Sequence, residues 1–361
     1  MRNMAKDRAA IDYHRRVWGI NFPGVDGFIE PEWKRNFDMA LDAQPSLVTE
    51  VNAGIPSMLV TFIDPDIYKV LTAKNQAAEI FGEVRKGSFV DVTAMFPVVE
   101  HTGEVSSYGD FNNNGRTGLN TNFPNRENYL YQTVCEWGDL ELERAGEAKI
   151  QWANEVKQSG VIVLNKFQNL TYFLGVAGLQ NYGLLNDPSL PTPIAPAPKA
   201  NTGLTWLSNG GSPNATAAEV YNDILALVTQ LFIQSTGLID AKSKMTLCMS
   251  PKSSAALNFT NTYNVNVTDQ LKKNYPNLEV KTAVQYGALT AQNPQGSALG
   301  EIVQLIADDV EGQKTGYCAF SEKLRGGPVI RDMSSVKQKM AQGTWGAIVR
   351  QPFAIAQMIG V

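Results

Sequence analysis

Between Phe96 and Leu174 the apolar period of the sequence changes from two to about 3.6 with no linker between, and this junction limits the fold more than any other feature. Residues 96–137 read as a long hairpin. Its outgoing arm carries Val98, Val99, Val105 and Tyr108, and its return arm sets Tyr129, Tyr131, Thr133, Cys135 and Trp137 on one face. The tip, Asp110-Phe-Asn-Asn-Asn-Gly-Arg-Thr-Gly118, is made of residues that tolerate left-handed backbone. Arms of about 15 residues would each reach about 50 Å. A lone two-stranded ribbon is marginal in water, so this one must lean on something. From Asp139 the text turns helical: Leu142, Ala145, Ile150, Ala153, Val156, Val163, Phe167, Leu170 and Leu174 recur at spacings of three, four or their sums. Asp139, Glu141 and Glu143 crowd the first turn, where the helix dipole favours anions. Unbroken to Leu174, this helix would span about 54 Å. A compact globule of this length has a radius of gyration of only about 21 Å. Gly160 is the residue expected to interrupt it.

The remainder mixes short strands and helices without a regular βαβ rhythm, which predicts an α+β fold. Residues 1–55 show no sustained period yet carry Trp18, Phe22, Phe28, Trp33 and Phe37, large apolar groups with few local means of burial. They read either as a strap across the chain's own core or as an arm on a neighbour. Strands are expected at Met58–Ile63 and Ser88–Thr93, with a helix from Asp66 to Phe81. Five prolines between Pro188 and Pro198 form a polyproline-like connector and the best boundary in the chain. Beyond it, helices are expected at Thr216–Ser235 and Val267–Asn274. Strands are expected at Met245–Met249, Leu278–Thr282, Glu301–Ala307 and Gly346–Val349.

Composition removes several function classes. Lys+Arg 31 against Asp+Glu 35 gives a net charge of −4, without the concentrated basic surface of a dedicated nucleic-acid binder. No apolar run approaches the roughly 18 residues of a membrane span, and the N-terminus leads into no signal-peptide core, which predicts a soluble, cytoplasmically made protein. The three cysteines lie far apart, which argues against a disulfide scaffold or a structural zinc site. Charged residues make up 18 % of the chain, below the usual quarter, and Asn above all fills the gap. Low charge is expected where much of a surface meets other protein, because interface cores are depleted in charge.

The motifs that could carry chemistry fail on specific atoms. Gly82-Glu-Val-Arg-Lys-Gly87-Ser88 has phosphate-loop glycine spacing but lacks the Lys after its second glycine. Asp110, Asn112, Asn114 and Gly115 copy the first half of a calcium loop, but Thr121 stands where the bidentate Glu belongs. The chain has only two histidines, His14 and His101, neither beside a candidate nucleophile or second ligand. Catalytic residues, metal ligands and cofactor sites are therefore all expected to be absent.

Four stretches carry a resemblance. They are Gly178-Leu-Gln-Asn-Tyr-Gly-Leu-Leu-Asn-Asp-Pro188, Thr246-Leu-Cys-Met-Ser-Pro251, Asn274-Tyr-Pro-Asn-Leu-Glu-Val280 and the closing Gly346-Ala-Ile-Val-Arg-Gln-Pro-Phe-Ala-Ile-Ala-Gln-Met-Ile-Gly-Val361. In this order the chain resembles the major capsid proteins of tailed bacteriophages, the Hong Kong 97-type fold. The resemblance implies an N-terminal arm (1–55), a peripheral P-domain beginning at 56–95, and an extended E-loop hairpin (96–137). It also implies a spine helix with its Pro-rich connector (138–200), an axial A-domain (201–335) and a return to the P-domain (336–361). It implies no enzyme but a virion subunit, made in the bacterial cytoplasm and joining copies of itself as hexamers and pentamers around double-stranded DNA. Trp18, Phe22, Trp33, Phe96, Tyr108, Phe111, Phe123 and Trp137 would anchor the contacts between subunits, with Arg116 and Arg126 pairing acidic groups next door. A separate scaffold, a portal and a decoration protein are the implied partners, with unspecific contact to the packaged DNA and none to a membrane. The founding member of the fold cross-links through an E-loop lysine. No lysine occurs here between Lys86 and Lys149, so a non-covalent shell is expected. An encapsulin-like compartment and a small-oligomer metabolic enzyme are the alternatives.

Overall fold

The computed structural model describes residues 75–147, 151–201, 203–208 and 210–361. The period-two segment forms strand β6 (Tyr129–Gly138), whose burial alternates as the sequence predicts, with Cys135 and Trp137 buried and Val134 and Glu136 exposed. Its partner is not the outgoing arm of the hairpin. β6 pairs antiparallel with β13 (Ser335–Val349), from Ser335↔Gly138 to Thr344↔Tyr129. β13 pairs in turn with β12 (Gly316–Arg331), and β12 with the short parallel strand β1 (Glu83–Arg85). The resulting sheet has the order β1-β12-β13-β6.

The helical stretch folds as α2 (Asp139–Glu147) and α3 (Trp152–Leu174), with Gln151 non-helical ahead of α3. Gly160 does not break it. The helix runs through Gly160, which is buried where α3 crosses β6; a Cβ there would stand 2.5 Å from Cys135 Sγ. The glycine is a point of close approach, not a stop. Cys135, Trp137, Leu164 and Met340 form the layer between helix and sheet, with Tyr131, Ala153 and Val156 at its edge. The apolar period misjudges three places on α3. Val163 is exposed, whereas Asn169 and Thr171 are buried because each has a specific partner. Asn169 Oδ1 accepts from Ala77 N (3.0 Å) at the start of α1 (Ala77–Phe81), and the Thr171 hydroxyl donates to Gln168 O (2.8 Å).

A second sheet has the order β14-β9-β7-β8, formed by Ile355–Ile359, Ile302–Ala307, Met245–Met249 and Leu278–Thr282. Helix α4 (Ala217–Gln234) opens on a capping box. Thr216 Oγ1 accepts from Glu219 N while Glu219 Oε2 accepts from Thr216 N, satisfying two donors that helix starts leave unpaired. Its Val220, Ile224, Leu227 and Leu231 lie on Met245, Leu247, Val303 and Leu305, with α5 (Val267–Asn274) adding Val267 and Leu271. Between β9 and β12, the small hairpin β10 (Asp309–Val310) to β11 (Gln313–Lys314) turns at Glu311 and Gly312, both at positive φ. Tyr172, Phe173, Leu184 and Cys318 from the first sheet's side meet Cys248, Tyr286, Ile306 and Ile355 from the second in one continuous core.

Three expectations need correction. The division at 335/336 fails: β12 and β13 are one long hairpin of the first sheet, while the closing strand β14 belongs to the second. Hydrogen bonding explains this, because a hairpin cannot be split between sheets without abandoning its ladder. The Pro-rich connector is not a free boundary. Ile194 pairs with β14 (Ile194 N to Gln357 O, 2.9 Å; Ile359 N to Ile194 O, 3.1 Å). Lys199, at the connector's end, is buried against Asp223, which also accepts from Trp206 Nε1 at 2.7 Å. Ser88–Asp91 is a turn closed by Asp91 Oδ2 on Ser88 N (2.7 Å), and of the expected strand Ser88–Thr93 only Thr93 lies in β2, which covers Thr93–Met95. The glycines of the phosphate-loop look-alike flank strand β1 rather than forming a loop. Of the helix expected from Asp66, α1 is what is described, and the strand expected at Met58–Ile63 lies outside the described residues.

Candidate self-assembly surface

The hairpin is a two-stranded ribbon. β2 pairs with β5 (Asn125–Glu127) at its root, and β3 (Val98–Gly103) with β4 (Thr117–Asn122) further out, from Val98↔Asn122 to Gly103↔Thr117. It therefore ends at Glu127, ten residues short of the expected 137, because the next strand is spent on β13. All of residues 97–123 are exposed. Among the described residues, no hydrogen bond or ion pair of this segment reaches the body. The tip orders itself instead. Asn112 Nδ2 donates to Ser107 O (2.6 Å), Asn112 Oδ1 accepts from Asn114 N (3.0 Å), and Ser106 Oγ donates to Asn114 O (2.8 Å). Gly115 sits at φ +90°. The Asp110–Gly115 sequence thus builds a turn whose Asn112 side chain is used up on local backbone. Set on this ribbon are Val105 and Phe111, completely exposed, Tyr108 at 95 %, and Leu119 and Phe123 more than half exposed. Apolar groups on an unsupported two-stranded ribbon are what a docking element looks like before it docks.

The root, in contrast, is held firmly. Phe96 is half-buried against Tyr317, Ala319, Trp345 and Ile348. Glu127 N donates to Gln180 O and Glu127 Oε2 accepts from Gln180 N, both at 3.0 Å. Asn181 Nδ2 bridges Glu127 O and Thr344 O, also at 3.0 Å each. Arg126 Nη2 donates to the buried Asp187 carboxylate at 2.7 Å, with its guanidinium over the Tyr182 ring at 4.9 Å. The Gly178–Pro188 stretch is the joint itself. Gly175, at φ +65°, ends α3 and lets the chain double back, since a Cβ there would lie 2.3 Å from Asn181 O. Leu184 N and Leu185 N then bond Tyr172 O and Phe173 O, and Leu184 O accepts from Gln304 Nε2 of the second sheet.

The sequence-derived contact residues separate into three groups. Tyr108, Phe111, Arg116 and Phe123 are brought together on the exposed ribbon. Trp18, Phe22 and Trp33 lie outside the described residues. Trp137 and Arg126 are corrected: the Trp137 indole is buried under α3 with Lys157 over its ring, and Arg126 is paired with Asp187 of its own chain, so neither is presented to a neighbour. Phe96 belongs largely to the root. Sequence reasoning missed a second exposed apolar region on the outer half of the β12–β13 hairpin, with Leu324, Val329, Ile330 and a fully exposed Met333. Gly326-Gly327-Pro328 was the available signal. Burial pushes the Cys248 thiol up to about 12 and raises that of Cys318 further, and Tyr172, which donates to Glu83 at 2.9 Å, is likewise raised by burial and then by that carboxylate. These groups pack; they are not poised to react near neutral pH.

Residues 46–360 match the family model described as Pa193 gp26 major capsid protein. The chain belongs to this family of major capsid proteins. The capsid protein also shares its fold with solved phage and GTA-particle structures. It matches the capsid of Myoviridae phage XM1 at 14 % identity, covering 86 % of this chain and 100 % of that one, with a TM-score of 0.67. Gordonia phage Cozz matches at 12 % identity over 88 % and 99 %, and the capsid of the empty GTA particle at 11 % over 90 % and 97 %, each with a TM-score of 0.53. No curated protein sequence matches. Its fold is the Hong Kong 97-type expected from the sequence, its role is structural and its place is the virion capsid.

Proposed function

We propose that the capsid protein forms hexamers and pentamers that close into an icosahedral, non-covalent shell around double-stranded DNA, each subunit laying its ribbon on the next. The observation that carries this is the ribbon, 27 residues from 97 to 123 that are exposed throughout and carry Val105, Tyr108 and Phe111 with nothing among the described residues to cover them. Burying a side chain of this size contributes about 1.5–3 kcal/mol, so two or three anchors per copy contribute about 3–9 kcal/mol to each contact of a lattice repeated many times. A ribbon meeting a different surface on its neighbour is a heterologous contact, the kind that generates rings. The lysine-free interval from Gly87 to Ala148 supports a shell without amide cross-links through the hairpin. Assembly in the host cytoplasm on a separate scaffold, with a portal and a decoration protein, completes the reading. DNA contact stays unspecific, since a strongly basic inner face would bind DNA before packaging.

Deleting residues 103–125 tests the ribbon's role. A folded, soluble subunit that forms no closed particles is expected; normal shells would refute it. Covalent multimers bridged through 96–137 in the mass spectrum of disassembled particles would overturn the non-covalent reading.

A further inference from the structure

The direction in which the ribbon leaves the body must be set at its root, because residues 97–123 make no hydrogen bond or ion pair with anything else described. The paired strands carry the ribbon from Phe96 to Gly103, about 23 Å, and a 10° swing at the root would move that end by about 4 Å, the tip beyond it further. That displacement is about the width of an aromatic ring. An undirected ribbon would miss its neighbour.

Four sets of contacts hold the root, and they differ in kind. The bonds of Glu127 with Gln180 and Asn181 tie the return strand to the Gly178–Pro188 stretch, and Asn128, next in the chain, accepts from Ser321 Oγ of β12 at 3.1 Å. Phe96 adds apolar packing, which is not directional. Arg126 adds the one ion pair at the root among the described residues. Its guanidinium meets Asp187 Oδ2 at 2.7 Å and lies over the Tyr182 ring, so both the position and the orientation of the fork are defined. Asp187 is itself immobilised, since its Oδ1 accepts from Ser189 N (2.9 Å) and Ser189 Oγ (2.6 Å). The segment that carries Asp187 is bonded to the end of α3, to Thr344 and to Gln304, so this anchor is referenced to both sheets.

We propose that Arg126 and Asp187 are positioning residues for assembly, a lock that sets the angle of the ribbon against the body; the proposal rests on the reading that the ribbon reaches a neighbour. It is tested on the full-length soluble subunit by pulsed-EPR distances between spin labels at Ser107→Cys on the tip and Ser159→Cys on α3. The native thiols of Cys135, Cys248 and Cys318 are buried and do not compete for label. A single narrow distance is expected with Arg126 and Asp187 intact. Asp187→Asn and Arg126→Gln lose that single peak for a broad distribution, while a folded core is verified by unchanged near-UV circular dichroism. Arg126→Lys keeps the charge but not the flat fork, so it gives intermediate width and covers the event that the other two fail to fold. A wild-type distance distribution in any folded Asp187→Asn or Arg126→Gln subunit overturns the lock. Electron micrographs of particles from the same variants separate the two ideas. Broad distances with malformed or missing shells support both, broad distances with normal shells overturn the positioning role while leaving the ribbon's docking intact, and normal shells from the 103–125 deletion sink the ribbon's role itself.

Discussion

Gly160→Ala is the sharpest test of how the capsid body is packed, because two effects of known size oppose each other there. In an isolated helix the change would stabilise by about 0.8–1 kcal/mol, since glycine costs the helix backbone entropy. Here the new methyl would stand 2.5 Å from Cys135 Sγ, well inside ordinary contact, with Thr133 Cγ2 at 3.5 Å and Met340 Sδ at 3.6 Å behind it. Cys135 is buried in the layer between α3 and the sheet, so its sulfur has little room to retreat. Overpacking of this kind costs about 1–3 kcal/mol, and a clash this deep belongs at the upper end. The net expectation is a loss of about 1–2 kcal/mol, opposite in sign to propensity. Cys135→Ala alone leaves a small void and costs about 1 kcal/mol. In the double variant the methyl introduced at position 160 fills that void, so the two changes should couple favourably by about 2 kcal/mol. Urea unfolding of the four soluble subunits closes the cycle. A Gly160→Ala subunit about 1 kcal/mol more stable than wild type, with no coupling to position 135, would refute the reasoning.

Lys199→Met strands the buried Asp223 carboxylate and is expected to cost about 3–5 kcal/mol by urea unfolding. Lys199→Met with Asp223→Leu recovers only part of that, since Trp206 Nε1 and Ala197 N lose their acceptor. A thiol reagent at pH 8 should modify none of Cys135, Cys248 and Cys318 in the folded subunit and all three in urea, read as counts of labelled thiols. Thr216 N, then Ala200 N, hold the Glu219 carboxyl below its ordinary range. A depressed carboxyl contributes stability that is full above its unfolded pKa and fades as pH falls through the folded one. Glu219→Gln should therefore lower the melting temperature at pH 7 but much less at pH 3, and an equal loss at both would contradict the assignment.

Local pattern carried much of this architecture. The alternation of Tyr129 to Trp137, the 3.6 period of α4 and the helix expected at Val267–Asn274 (α5) each appear where the sequence places them, because in each the side chains that define the period also form the buried face. What the sequence did not reveal is non-local. The partner of β6 is a strand some 200 residues later, and nothing in Tyr129–Gly138 distinguishes β13 from the nearer β4. Gly160 looked like a helix breaker because its reason, Cys135, lies in another element. Asn169 and Thr171 are polar yet buried for the same cause. On the assembly surface, exposure of Tyr108, Phe111 and Phe123 was legible from the Asn- and Gly-rich tip. The enclosure of Trp137 and Arg126 was not, since it depends on α3 and on Asp187, 61 positions away.

Assembly through the ribbon is tested most directly by a reconstruction of purified particles from electron cryo-microscopy. Closed shells are predicted in which the 104–116 tip of every subunit lies on a different copy and buries Tyr108 and Phe111 there. Particles in which each ribbon curls onto its own body, or a protein that stays a small oligomer on the grid, would contradict it.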